Sequence, residues 1–87
     1  MKIIDWVKSL QGKSRWELQN EGTGLDLEDG RLLTAVVYDD YLIFSLVNNN
    51  LTVDKVLFMM EISAVNECRA VTVEMRIEEA INRVANE

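Results

Sequence analysis

Histidine and proline are absent from this 87-residue chain, and cysteine occurs once, as Cys68. Without histidine there is no Ser–His or Cys–His nucleophile pair, and no zinc site of mixed Cys and His ligands. One cysteine excludes an intramolecular disulfide and suits a reducing compartment. Long hydrophobic runs are also missing: none approaches the roughly 18 residues that a membrane helix needs. Met1–Leu10 carries Asp5 and Lys8 inside its apolar stretch, so a secretory leader is not expected there. These absences point to a cytoplasmic protein that does not contact a membrane and is not an enzyme, with no cofactor and no bound metal.

What is present is an ordinary globular mixture, 48% hydrophobic and 28% charged, sized for one domain. The formal net charge is −6, and it is unevenly spread. Lys2, Lys8, Lys13 and Arg15 face only Asp5 at the start. Residues 17–54 carry Glu17, Glu21, Asp26, Glu28, Asp29, Asp39, Asp40 and Asp54 against Arg31 alone. Direct nucleic-acid binding needs a basic surface, so it is not expected. The natural partner is a protein with a basic surface; an acidic surface that only confers solubility is the plainer alternative.

The hydrophobic spacing predicts an α+β fold. Ile3, Trp6, Val7 and Leu10 mark an N-terminal helix ended by Gly12. The period then becomes two, and Arg15–Gln19 alternates as a strand would. Leu25 and Leu27 begin a meander, followed by Arg31–Tyr38 and Tyr41–Val47 around an Asp39-Asp40 turn. A three-residue turn with Gly30 at positive φ and a bulge would pair Leu27 with Leu33 and place Leu25 and Leu27 on the core side. Residues 52–67 fit a helix capped by Thr52, with Val53, Val56, Leu57, Met60 and Ala64 in one stripe, or a strand alternating about Phe58 and Met60; the helix is preferred for its length and cap. Arg69–Arg76 alternates as a strand, and Ile77–Ala85 closes the chain as a helix. The helices are expected on one face of the sheet.

Several motifs carry little chemistry. Gly12-Lys13-Ser14 resembles the end of a phosphate-binding loop but lacks the earlier glycine and strand. Aligning Gly30 with the glycine of a calcium loop puts Leu25 and Val36 at ligand positions. Glu28-Asp29, Asp39-Asp40 and Glu78-Glu79 have structural reasons in turns or at a helix start. Cys68 has no base beside it, and Asn50-Leu51-Thr52 is a glycosylation pattern without a secretory context. Met59, Met60 and Met75 read as fillers of core gaps or as an adaptable binding surface.

Pairing across Asp39-Asp40 sets Tyr38 opposite Tyr41 and gathers Leu33, Ala35, Val37, Leu42, Phe44 and Leu46 on one apolar face, the expected core. The opposite face gathers Val36, Tyr38, Tyr41 and Ile43, more apolar than a solvated surface requires. With Asp39 and Asp40 as a charged rim, these six residues form the candidate partner-binding site; a homodimer is a second use of the same face, and a helix crossing it is the alternative to any interface.

Two resemblances sharpen the functional expectation. Leu25–Gly30, the Asp39-Asp40 turn and Tyr41–Phe44 resemble the acidic-turn strand pattern of class I type III secretion chaperones, small acidic homodimers that bind an extended effector segment. This chain is shorter than those proteins. In size, acidity, helix–meander–helix layout and lack of catalytic residues it is similar to phage anti-defence proteins, including anti-CRISPR proteins. That resemblance implies an inhibitor or antagonist of a basic, nucleic-acid-handling protein, and it is the leading expectation; the chaperone is the alternative.

Overall fold

The first helix forms where the apolar spacing places it. α1 (Ile3–Leu10) buries Trp6, Val7 and Leu10, and Gly12 follows at φ 80°, a left-handed conformation that glycine adopts without a Cβ clash. This computed structural model describes residues 1–21, 23–48 and 53–85, without the side chains of Val53 and Asp54. The end of α1 is pinned from a distance. The Gln11 side-chain amide donates to the carbonyls of Val65 (3.0 Å) and Cys68 (2.7 Å), and the Gly12 amide donates to Asn66 Oδ1 (2.8 Å).

The strand expected at Arg15–Gln19 is instead α2 (Arg15–Asn20). Its cause is local. Ser14 Oγ accepts from the Glu17 amide (3.2 Å) and Glu17 Oε1 accepts from the Ser14 amide (3.0 Å). This reciprocal capping satisfies two N-terminal donors that a helix otherwise leaves unpaired. The alternation of Trp16 and Leu18 is real but too short to outweigh the cap; Leu18 is buried and Trp16 lies outside.

Among the described residues, β1 (Gly24–Asp26), β2 (Leu32–Tyr38), β3 (Tyr41–Val47) and β4 (Val53–Glu61) form one antiparallel sheet in chain order. The β2–β3 register is the expected one: Tyr38 opposes Tyr41, Val37 opposes Leu42, Ala35 opposes Phe44 and Leu33 opposes Leu46. In the β1–β2 turn, Gly30 has φ 86°. The Leu27 amide bonds the Arg31 carbonyl and the Gly30 amide bonds the Leu27 carbonyl, the pattern of a three-residue loop with a glycine bulge. Leu25 is buried and Asp26 and Glu28 are exposed, as expected. The partner differs: Leu33 pairs with Leu25, and Leu27 lies beside Arg31, because only three residues fill the loop.

The chain beyond position 52 departs most from expectation. Residues 53–61 are strand, and α3 (Ile62–Glu67) supplies only the last third of the expected helix. Thr52, its expected cap, and the Asn50–Thr52 pattern lie outside the described residues. As a strand, this segment stacks Phe58 on Phe44 (ring centroids 4.8 Å apart) and sets Met60 opposite Leu42. A helix would have left the apolar strand β3 as an open edge. The expected strand at 69–76 belongs to α4 (Ala70–Ala85). Val73, Ile77 and Ala80 are buried on its inner side and Val71 and Met75 face out, so of the alternating residues only Val73 belongs to the buried helical stripe. Glu78 and Glu79 therefore lie within a helix and not at its start.

All the helices contribute to one core. Trp6, Val7, Leu10, Leu18, Val65, Val73, Ile77 and Ala80 join Leu25, Leu33, Ala35, Leu42, Phe44 and Leu46. Phe44 is completely buried, edge-on to Trp6 at 6.1 Å and stacked on Phe58. Truncating its ring to alanine removes both contacts, at a cost of roughly 3–5 kcal/mol. Val37, expected in this core, is half-buried, because β1 stops at Gly24, opposite Thr34, and leaves the far end of β2 as an edge.

Candidate binding face of the sheet

Antiparallel registers turn the outer side of the sheet into rows. Asp26, Leu32 and Val47 form the row at one end. The next two rows are Gly24–Thr34–Ser45–Val56 and Val36–Ile43–Met59. Tyr38–Tyr41–Glu61 closes the other end. The β3–β4 register shifts at Phe44/Ser45 and again at Leu46/Val47. The first shift turns Leu57 into the core, where it is buried, and returns Val56 to the outer side.

Around Val36, Tyr38, Val56 and Met59 this face is apolar and open. The buried helix residues pack into the core on the inner side, and none of Val36, Tyr38, Tyr41 and Ile43 belongs to that core. Tyr38 is 67% exposed, Val56 61%, Val36 55% and Met59 52%. Tyr41 and Ile43 are half-buried, and Ser45 and Val47, farther along β3, are buried. The four expected side chains thus share one surface. Asp39 and Asp40 lie in the turn at its Tyr38–Tyr41 end, both exposed. Three further outer residues, Val56, Met59 and Glu61, join them; the sequence offered Met59 as part of an adaptable surface, but not Val56 or Glu61, because their segment was read there as helix. Trp16, 70% exposed on α2, was likewise hidden by the strand reading; a free indole of that size is a frequent binding anchor.

The charges on this surface have one sign. Asp26 lies in the first row and Glu61 in the last, and no lysine or arginine belongs to any of the rows. Lys55 pairs with Leu46, whose side chain is in the core. At the Tyr38–Tyr41 end, Arg15 approaches Asp40 at 3.8 Å in an exposed pair, leaving Asp39, Asp40 and Glu61 to one guanidinium. The turn is held in place: the Ile62 amide bonds the Asp40 carbonyl at 2.8 Å. Asp39 takes φ 54°, a conformation aspartate tolerates better than most residues.

An open recess of about 360 Å³ runs between α2 and the bare end of β2, beside Leu18, Gln19 and Val37, and shares Thr34 and Val36 with the outer face. A second, of about 340 Å³, contains Asp29, Arg31 and Glu78. In the second, Asp29 accepts from Arg31 Nε (2.8 Å) and Nη2 (2.6 Å), and these side-chain bonds hold the Asp29 carboxyl below the usual carboxylate range. Among the described residues there is no group of three or more Cys, Asp or Glu side chains that could hold a metal, and no helix is long and apolar enough to cross a membrane. No protein-family model, curated protein or solved structure matches the chain.

Proposed function

We propose that this protein is a non-enzymatic binding module that uses the outer face of its sheet to antagonise a basic, nucleic-acid-handling protein, in the manner of phage anti-defence proteins. The observation that carries the reading is the row Val36–Ile43–Met59 beside Tyr38 and Tyr41, bordered by Asp39, Asp40 and Glu61 with Arg15 against Asp40 alone. Scattered apolar residues are normal on a surface, but a contiguous patch rimmed by charge marks an interface. Tyrosines supply large contact area with a polar tip. The carboxylate rim steers a basic partner and rejects a nucleic-acid backbone.

The experiment is affinity capture from the source cell with the native chain and two variants. The expected partner has a basic, nucleic-acid-binding surface, loses that activity in the complex, and dissociates more readily as salt rises. A Tyr41→Ala, Ile43→Ser double variant stays folded by circular dichroism and loses the partner. An Asp39→Asn, Asp40→Asn variant keeps it with weaker salt dependence. A partner retained by the folded double variant overturns the reading.

A further inference from the structure

The two borders of the described sheet differ as templates for another strand. β4 carries two register shifts, with Lys55 between them, the kinks and charge that blunt a sheet edge. The other border has neither device at its far end. β1 is three residues long, and beyond it Val36, Val37 and Tyr38 of β2 carry no charge and pair with β3 without a shift. The direction of their main-chain groups follows from Ala35. Its amide donates to the Thr23 carbonyl (3.3 Å) and its carbonyl accepts from Thr23 Oγ1, so Ala35 turns both groups to the β1 side. Peptide groups alternate along a strand, and Val37 turns its own to that side too. No described residue bonds them there. Val37 instead borders the open recess of about 360 Å³ that Leu18 and Gln19 of α2 wall on the other side.

An unpaired amide and carbonyl on one residue call for an extended occupant. A helix has committed its own N–H and C=O groups to its turns, whereas a strand in line with β1 exchanges both bonds with Val37. A second copy of this chain does not fit, because its own bare β2 end would bring its α2 into the same recess. We infer that the recess holds an extended segment of a partner protein, antiparallel to β2, with an apolar residue opposite Val37 and lysine or arginine immediately before it. The apolar side chain lies on the same side of the sheet as Val37 and fills the recess against Leu18. The segment enters from the turn, where Asp39 and Asp40 are exposed and Arg15 approaches Asp40 at 3.8 Å. Its cation, opposite Tyr38, is thereby set beside Asp39. Thr23, bonded to Ala35, closes the other end, so the paired stretch is short. This site uses the main chain of β2 and goes beyond the reading of the outer face.

The test titrates the full chain, isotope-labelled, with capped peptides of about seven residues. The first has a central leucine, a lysine before it, and serine or threonine elsewhere. The second carries an N-methyl group on the leucine amide, which removes the donor to Val37. The third carries that group on the next residue, whose amide points away from β2. The fourth replaces the lysine with glutamate. The first and third are expected to bind, with NMR shifts centred on Val37, Leu18 and Gln19 and slower exchange of the Val37 amide. The second binds at least about tenfold more weakly. The fourth is also weaker, by a margin that narrows in high salt. Tyr41→Ala, Ile43→Ser binds the first peptide as the native chain does, because those side chains lie one strand farther in. The inference is overturned if the two methylated peptides bind alike, if the glutamate peptide binds as tightly as the first, or if no peptide binds. It is equally overturned if the Val37 amide is already protected in the chain alone, or if the double variant loses the peptide, which would place the segment on the outer face. A cellular partner that needs Tyr41 and Ile43 decides the outer-face reading separately.

Discussion

Asp39 shows how one residue can serve a turn and a surface together. Its backbone lies at φ 54°, where a β-branched side chain is a steric outlier and Asn or Asp is tolerated. Asp39→Asn should therefore leave stability within about 0.5 kcal/mol, whereas Asp39→Val should cost about 1–2 kcal/mol in urea unfolding. Equal stability of the two variants would remove the backbone argument. Glu17 is a second case. Its bonds from the Ser14 amide and hydroxyl hold its carboxyl below the ordinary glutamate range. A depressed carboxylate contributes stability that is complete above its unfolded value and disappears as pH falls through the folded one. The gap between the native chain and Glu17→Gln, measured by thermal unfolding, should be open at pH 7 and close below about pH 4. A gap that stays constant across that range would show that the charge of Glu17 plays no part in the cap. The Ser-x-x-Glu signal for this cap is written in residues 14–17 and is local enough to be read directly; the alternation around Trp16 and Leu18 obscured it.

At the scale of elements, the segment 53–61 carries two patterns at once. Helical spacing puts Val56, Leu57 and Met60 together; strand spacing separates Met59 from Met60. In the folded protein Leu57 and Met60 are buried, Val56 and Met59 are exposed, and the pairing of Phe58 with Phe44 and of Met60 with Leu42 places them on a strand with a bulge beside Leu57. Met60→Ala should cost about 2–5 kcal/mol, whereas Val56→Thr and Met59→Ala should each stay within about 0.5–1 kcal/mol. A loss at Val56 as large as that at Met60 would restore the helix, whose stripe buries both. The two central strands were legible because a two-residue turn sets the pairing of every residue in a hairpin, and Leu33, Ala35, Leu42, Phe44 and Leu46 then fall on one side. The segments at 53–61 and 70–76 were not legible, because a short apolar run satisfies either period. Val71, Val73 and Met75 alternate as a strand would, yet the longer stripe Val73–Ile77–Ala80 is what α4 buries.

At the scale of the molecule, charge governs association. With a net charge of −6 and carboxylates as the only charges on the outer rows, the free chain should be a monomer in sedimentation at neutral pH and moderate salt. Neutralising the rim with Asp39→Asn, Asp40→Asn and Glu61→Gln removes the main repulsion between two apolar faces. That triple variant should self-associate with a dissociation constant at least about tenfold lower than the native chain. An unchanged sedimentation profile would mean that the rim is not what keeps two faces apart. By itself the sequence determined the exclusion of histidine chemistry and of an intramolecular disulfide, the first helix, the central hairpin with its register, and the four outer residues Val36, Tyr38, Tyr41 and Ile43. Each of these follows from composition or from contacts between near neighbours in the chain. Only the tertiary structure decided that β4 completes the sheet, that Met59 and Glu61 extend the outer face, and that no described helix crosses it. The reason is that residues 53–61 gain more from pairing with β3, where Phe58 meets Phe44 and Met60 meets Leu42, than from any order of their own. That gain comes from a strand already in place, so it is invisible in the segment alone.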